Sequence, residues 1–186
     1  MKKLIALILA LTVLLGMLPM AAAEEAAAPA LNLPITLEDY MASYEAVITE
    51  AVPGCTVTWS SAPLDEGECW MATINNSFIS VMLLPVDGQV SEIAVLMQTG
   101  LDETSLMTFL SMAGYAGAAL LRSESVTSLE ACDAFMAELM NLFSAIYAGE
   151  APTSIYGLPG MINLTPMQDG TCQFYFILKL TPAEAE

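Results

Sequence analysis

The stretch CTVTWSSAPLDEGECWMATINNSFISVMLLPVDGQVSEIAVLMQ, residues 55–98, decides the fold because it contains four strand-like segments separated by short turns. Apolar and polar side chains alternate in the first segment, which is typical of a strand with one buried face. Residues 78–84 are almost wholly apolar, so we place this segment centrally in the sheet. Four consecutive strands joined by short turns predict an antiparallel meander.

Helices are predicted on both sides of this meander. Residues 36–39, TLED, form a capping-box pattern at the start of an amphipathic helix that ends before Pro53. After the meander, Asp102 caps a broadly apolar helix, and residues 127–130, TSLE, open another one. In the first of these two helices we expect Gly114 and Gly117 to mark the close approach of a neighbouring backbone.

The chain ends in a predicted hairpin of residues 161–165 and 171–180, and a short extra strand is predicted near residues 153–156. Strands clustered in runs with hairpin links indicate an α+β protein. We therefore predict one antiparallel sheet of about six strands, in the order α-ββββ-αα-ββ, with the helices packed on one face. The regularly spaced methionines are predicted to fill the core.

The N-terminus has the pattern of a cleavable bacterial-type signal peptide. Lys2 and Lys3 precede an apolar run, and an Ala-rich cleavage site follows it. The apolar run is shorter than the roughly 20 residues of a membrane span, so we expect no stable membrane anchor after cleavage. The prediction is a secreted or extracytoplasmic protein. Its parts are a signal peptide (1–23), a flexible leader (24–35), a single α+β domain (36–181) and a short tail (182–186).

The chain is strongly acidic, with 4 basic and 21 acidic residues and a net charge of −17. Loss of Lys2 and Lys3 would leave two basic residues, Arg122 and Lys179, against the same 21 acids, a net charge of −19. Such a surface repels nucleic acid and anionic membranes. It favours a basic protein or peptide as partner.

Four cysteines in an exported chain permit two disulfides. We predict Cys55–Cys69, which face each other if the first hairpin folds about Ala62. We also predict Cys132–Cys172, because both side chains point into the helix–sheet core. Four buried thiols are the alternative.

The absence of histidine from the sequence excludes Ser-His-Asp and Cys-His catalysis and His-based zinc sites. A serine–lysine dyad would have to use Lys179, which the alternation of the last strand places on its outer face. No C-x-x-C motif or glycine-rich phosphate loop is present. We therefore predict no catalytic residue and no cofactor.

An acidic loop between the first two strands is the candidate metal site, with Asp65, Glu66 and Glu68 as its ligands. Carboxylate oxygens are ligands for calcium. The alternative is a solvated turn, because a chain with so many acids contains such clusters by chance.

The function predicted from these features is an exported, non-catalytic binding or accessory domain that contacts a protein or peptide. A sheet face free of helices is the expected site, with Trp59, Trp70 and Tyr175 as contacts. The alternatives are a carboxylate-dependent glycan hydrolase, which needs two facing acids, and a weak calcium- or cation-binding protein.

Overall fold

The computed structural model describes residues 30–65, 67–75, 78–100, 102–122, 126–147 and 154–180. The predicted α+β class is confirmed, and the described part contains one strand more than the predicted six, at the place where the sequence indicates a short extra strand. The elements are α1 (Leu37–Ala51), β1 (Val57–Pro63), β2 (Glu68–Ile74), β3 (Phe78–Val86), β4 (Gln89–Gly100), α2 (Glu103–Leu121), α3 (Ser128–Tyr147), β5 (Ser154–Ile155), β6 (Leu158–Pro166) and β7 (Thr171–Lys179).

The strands form one antiparallel sheet in the order β1-β2-β3-β4-β7-β6-β5. The last strand, β7, is central because it lies between β4 and β6. Its pairing with β4 extends from Glu92↔Lys179 to Gly100↔Thr171. This pairing joins the C-terminal strands to the meander.

The helices cover one face of this sheet. Along β7 the buried side chains alternate with half-buried or exposed ones, as expected for a strand with helices on one side. Phe109 of α2 contacts Phe174, with ring centroids 5.5 Å apart, and Phe135 of α3 contacts Phe176 at 6.2 Å. Burying each of these rings contributes about 1.5–3 kcal/mol relative to leaving it exposed.

Helix α2 lies at the centre of the helical layer. It is long and apolar enough to span a membrane, but 67% of its most apolar 18-residue window is buried inside the protein. Two hydroxyl groups of α1 donate to its carbonyl oxygens, Tyr40 to Ala116 and Ser43 to Ala119, both at 2.8 Å. Helix α2 is therefore a buried core helix, and its burial accounts for its apolar composition.

The predicted leader, residues 24–35, is packed against the domain at its C-terminal end. Asn32 N–H donates to the Leu120 carbonyl at 2.9 Å, and Val90 N–H donates to the Ile35 carbonyl at 3.1 Å. Ile35 is 3% exposed, and Leu31 and Leu33 also pack against the core. Residues 31–35 of the predicted leader therefore contact the domain that is predicted to begin at residue 36. The predicted signal peptide (1–23), residues 24–29 and the predicted tail (182–186) lie outside the described residues.

The two glycines in α2 mark a close approach, but the neighbouring groups are side chains of α3 and not backbone. A Cβ atom at Gly117 would overlap the ring of Phe135, which contacts the rings of Tyr156 and Phe176. A Cβ atom at Gly114 would meet the flexible end of Met136. The Phe135 ring cannot move as easily as the Met136 side chain. The packing of α2 against α3 therefore requires glycine more strictly at position 117 than at position 114.

We therefore expect Gly117→Ala to lower the free energy of unfolding by about 1–3 kcal/mol, the usual cost of overpacking a core. This loss exceeds the gain of nearly 1 kcal/mol in helix propensity. Gly114→Ala is the matched control and should stay within about 1 kcal/mol of the wild type, because Met136 can change rotamer. Urea unfolding of the three proteins measures both effects, and equal stabilities would contradict this account of the α2–α3 contact.

Candidate functional site

The four cysteines are free thiols in the structure. The predicted pair Cys55–Cys69 is wrong because β1 continues past Ala62 to Pro63, so Ala62, not Cys55, pairs with Cys69. At about 3.4 Å per residue, seven residues of strand separate the two cysteines by roughly 24 Å. A disulfide needs Cα atoms within about 7 Å of each other.

The predicted pair Cys132–Cys172 is also absent. Phe135 of α3 contacts β7 at Phe176. Cys172 lies four residues from that contact, roughly 14 Å along the strand. Cys132 lines a cleft between the helices instead.

The two predicted tryptophan contacts lie on the helix-covered side of the sheet. The indole N–H of Trp59 donates to Glu45 Oε1 of α1 at 2.9 Å, and its ring meets Tyr44 edge-on at 5.8 Å. Trp70 packs against the buried core, and its buried indole N–H has no hydrogen-bond partner in the described part of the chain. Both residues therefore serve the packing between the helices and the sheet.

Tyr175, the third predicted contact, lies on the opposite face. Its hydroxyl accepts a hydrogen bond from Asn163 Nδ2 at 3.2 Å. The structure therefore does not bring the three predicted contacts together on one surface. The strand register explains this separation. Trp59 pairs with Ala72, whose side chain is buried on the core face, and paired residues of adjacent strands point to the same face. Tyr175 alternates with the buried Phe174 and Phe176.

The uncovered face carries a continuous line of apolar side chains across five strands. Register pairs connect Met71 to Met82, Met82 to Ala94, Ala94 to Ile177, and Ile177 to Met161. We name these five residues the outer row. The next line of side chains adds Leu96 beside Tyr175.

The outer row is accessible to solvent to different degrees. Met161 is 47% exposed, Met71, Met82 and Ile177 are half-buried, and Ala94 is 9% exposed. None of the five is among the residues that form the core cluster or pack against it. These positions differ from the prediction that the methionines fill the core, because sequence periodicity does not show which face of each strand the helices cover.

The acidic loop is exposed where it is described. Asp65 and Glu68 are solvent-accessible, and Glu66 lies outside the described residues. Among the residues that the structure describes, no group of three or more His, Cys, Asp or Glu side chains could hold a metal ion. Cation binding at this loop stays a prediction.

A cleft of about 480 Å³ lies between the end of α1, the middle of α2 and the start of α3. Two carboxylates, several hydroxyl groups and a few apolar side chains meet there, from segments far apart in the sequence. The lining residues are Glu50, Ala51, Ser111, Gly114, Tyr115, Thr127, Ser128, Leu129, Cys132, Asp133 and Met136.

The electrostatic environment of the cleft is negative. Burial raises the pKa of Cys132 to about 11, and the carboxylates of Asp133 and Glu50 add to this rise. Burial also raises the pKa of Tyr115, with a further contribution from Cys132 and Cys55. Cys132 is therefore a protonated thiol at neutral pH, which is the unreactive form of cysteine.

The first turn of α3 forms one wall of the cleft. The predicted capping box is present: Glu130 accepts hydrogen bonds from the N–H and hydroxyl of Thr127 at 3.0 and 2.9 Å. These bonds hold the pKa of Glu130 below its usual value. The neighbouring Ser128 is 2% exposed, and its Oγ has no hydrogen-bond partner among the residues that the structure describes. A buried hydroxyl without a partner destabilises the fold, so its presence needs an explanation.

A scan against protein-family models and searches of curated proteins and of solved structures found no match to this chain. The functional argument therefore depends on the outer row and the cleft.

Replacing the unpartnered hydroxyl should not harm the fold. We expect Ser128→Ala to leave the free energy of unfolding unchanged or to raise it by up to about 1 kcal/mol, because it removes a desolvated polar atom. Thr127→Ala, at the adjacent position, should lower it by about 1 kcal/mol through loss of the helix cap. Urea unfolding provides both values. A loss above 1 kcal/mol for Ser128→Ala would mean that this hydroxyl stabilises the folded chain.

Proposed function

We propose that this chain is an exported binding domain whose outer row docks a polypeptide partner that presents apolar side chains framed by lysine or arginine. The observation that carries the proposal is the unbroken apolar line from Met71 to Met161 on the sheet face without helices. Contiguous apolar surface that solvent can reach is typical of interaction sites.

The composition of the outer row suits a protein partner. Three of its five residues are methionines, whose flexible thioether side chains adapt to the shape of the surface opposite. Leu96 and Tyr175 extend the apolar area on the same face. Tyrosine is enriched at protein interfaces because its ring is apolar and its hydroxyl group can still form hydrogen bonds.

Charge supports a basic partner. The exposed turns at the two ends of the sheet carry Asp87 and Asp169. On the outer face beside the outer row, Glu92 pairs in register with the basic Lys179, so the acidic excess comes from the turns. Beyond residue 3, the sequence contains only Arg122 and Lys179 as basic residues. The negative charge of this chain attracts a partner that has lysine or arginine around its apolar contact, and it increases the rate at which the two associate.

Export is supported by the sequence of residues 1–23, which has the three regions of a signal peptide in order. A domain outside the cytoplasm meets envelope or extracellular polypeptides, and a basic surface on one of these is the expected target. Nucleic acid is disfavoured as a partner by the same negative charge.

A glycan hydrolase has one supporting observation, since Glu50 and Asp133 line the same cleft. A hydrolase of this type needs one carboxyl group that holds its proton near neutral pH, which burial in an apolar site provides. Glu50 is instead 54% exposed and lies 3.5 Å from the guanidinium of Arg122. The outer row therefore supports binding better than the cleft supports hydrolysis.

The test uses two synthetic peptides of equal positive charge, one with alternating leucine and lysine and one with serine in place of leucine. Fluorescence anisotropy should show saturable binding of the leucine peptide at about 100 mM salt, where long-range charge attraction is largely screened. The serine peptide should bind at least about tenfold more weakly, because it cannot cover the apolar line.

Variants locate the site. Met82→Thr and Met82→Lys should each weaken the leucine peptide by about tenfold or more, because position 82 is within the outer row. Ser144→Lys, on the exposed side of α3, adds the same charge as Met82→Lys and should change affinity by less than about twofold. The proposal would be contradicted if both peptides bound with equal affinity, or if Met82→Lys and Ser144→Lys lowered the affinity equally. Either result would mean that charge alone drives the interaction.

A further inference from the structure

Three sulfur-containing side chains lie together on the helix-free face of the sheet, and we infer that they bind a soft monovalent metal ion, copper(I). They are the thiol of Cys69 and the thioethers of Met71 and Met82. Thiolate and thioether sulfurs are the donors that select copper(I) over hard cations. This metal site does not depend on the docking of a peptide at the outer row.

The strand register brings the three side chains together. Met71 of β2 pairs with Met82 of β3, and directly paired residues have Cβ atoms about 4.5–5.5 Å apart. Cys69 lies two residues before Met71 in the same strand, so it points to the same face, roughly 7 Å away along the strand. Met82 is the diagonal neighbour of Cys69, at about 7–8 Å. The three rotatable bonds of a methionine side chain allow its sulfur to cross these distances.

The surroundings of Cys69 give a second, independent indication. Cys69 is 3% exposed, but it is not among the residues that form the core cluster or pack against it. Its burial therefore comes from neighbours on the helix-free face, and Met71 and Met82 are the flexible ones. Its sulfur also has a backbone hydrogen bond with Leu83, the residue that follows Met82. This contact places the thiol against β3, beside the position of the second methionine.

The charge balance favours a monovalent ion. The other neighbours of Cys69 on this face are apolar, since Ala62 pairs with it in β1 and Leu84 lies two residues beyond Met82 in β3. One thiolate neutralises one copper(I) ion, whereas a divalent ion would leave a net positive charge in an apolar setting, which is unfavourable. Among the described residues, no three His, Cys, Asp or Glu side chains form a group that could hold a metal. The donor set of this site is therefore completed by thioethers.

Binding replaces the thiol proton with the metal. Burial raises the pKa of Cys69, and the hydrogen bond with Leu83 partly offsets this rise, so the sulfur carries its proton at neutral pH. The S–H bond breaks as the S–Cu bond forms, and the proton passes to water. Copper stays in the +1 state, so the step needs no oxidant or reductant. Met71 and Met82 are half-buried, and rotation of their side chains admits the ion to the thiol beneath them.

The experiment is an oxygen-free titration of the purified chain against the coloured copper(I) complex of bicinchoninate, which loses its colour when the protein takes the metal. We expect uptake of one copper(I) ion per chain. Cys69→Ala, Met71→Leu and Met82→Leu should each lower the affinity by about tenfold or more, because each removes one of the sulfur donors. Leucine is close to methionine in volume, so the two leucine variants should unfold at nearly the same urea concentration as the wild type.

Two matched variants separate this site from general binding to sulfur. Met161→Leu removes the third thioether of the outer row, three strands from Met82, and Cys55→Ala removes the half-buried thiol, the other three being buried. Each should change the copper(I) affinity by less than about twofold. The inference is overturned if the wild type takes no copper(I) from bicinchoninate, if Met161→Leu and Met82→Leu lower the affinity equally, or if Cys55→Ala lowers it as much as Cys69→Ala.

Peptide binding separates this result from the docking proposal. Met82→Leu keeps an apolar side chain in the outer row, so it should bind the leucine peptide within about twofold of the wild type while its copper(I) affinity falls. Loss of copper(I) binding with intact peptide binding assigns the sulfur donors to the metal. A wild type that binds the leucine peptide but takes no copper(I) overturns the metal site alone.

Discussion

Burial of one face of the sheet and not the other is the constraint on which the rest of the structure depends. It is clearest on β7, where Cys172, Phe174, Phe176 and Leu178 are almost completely buried and the side chains between them are not. Because side chains alternate along a strand, helices packed on the first set necessarily leave the second set facing away from them. A shift of the register by one residue would exchange the two sets.

Both candidate sites follow from this arrangement. The outer row exists because the three helices of the described part of the chain lie on the other face, and none of them covers its apolar side chains. The cleft exists because α1 ends and α3 begins beside the middle of α2, which separates their side chains at that point. One site is a broad apolar surface and the other is a small acidic cavity.

Local patterns predicted most of the fold, because periodicity, capping boxes and turns are properties of neighbouring residues. The meander, the three helices and the clean alternation of residues 171–180 were readable in this way. Contacts between distant segments could not be predicted from these local patterns. The extension of β1 to Pro63 placed Cys55 far from Cys69, and the covered face of the meander decided that Trp59 belongs to the core and Met82 to the surface. The cleft combines three segments, so no single motif could indicate it.

The most direct test of one-sided burial is residue-resolved hydroxyl-radical footprinting of residues 173–179, with the rate at each residue divided by its rate in the urea-unfolded chain. The account predicts strong protection of Phe174, Phe176 and Leu178 and clear labelling of Tyr175 and Ile177, an alternation with the period of the strand. Similar protection of all five residues, or labelling of Phe174 and Phe176 above Tyr175, would contradict it.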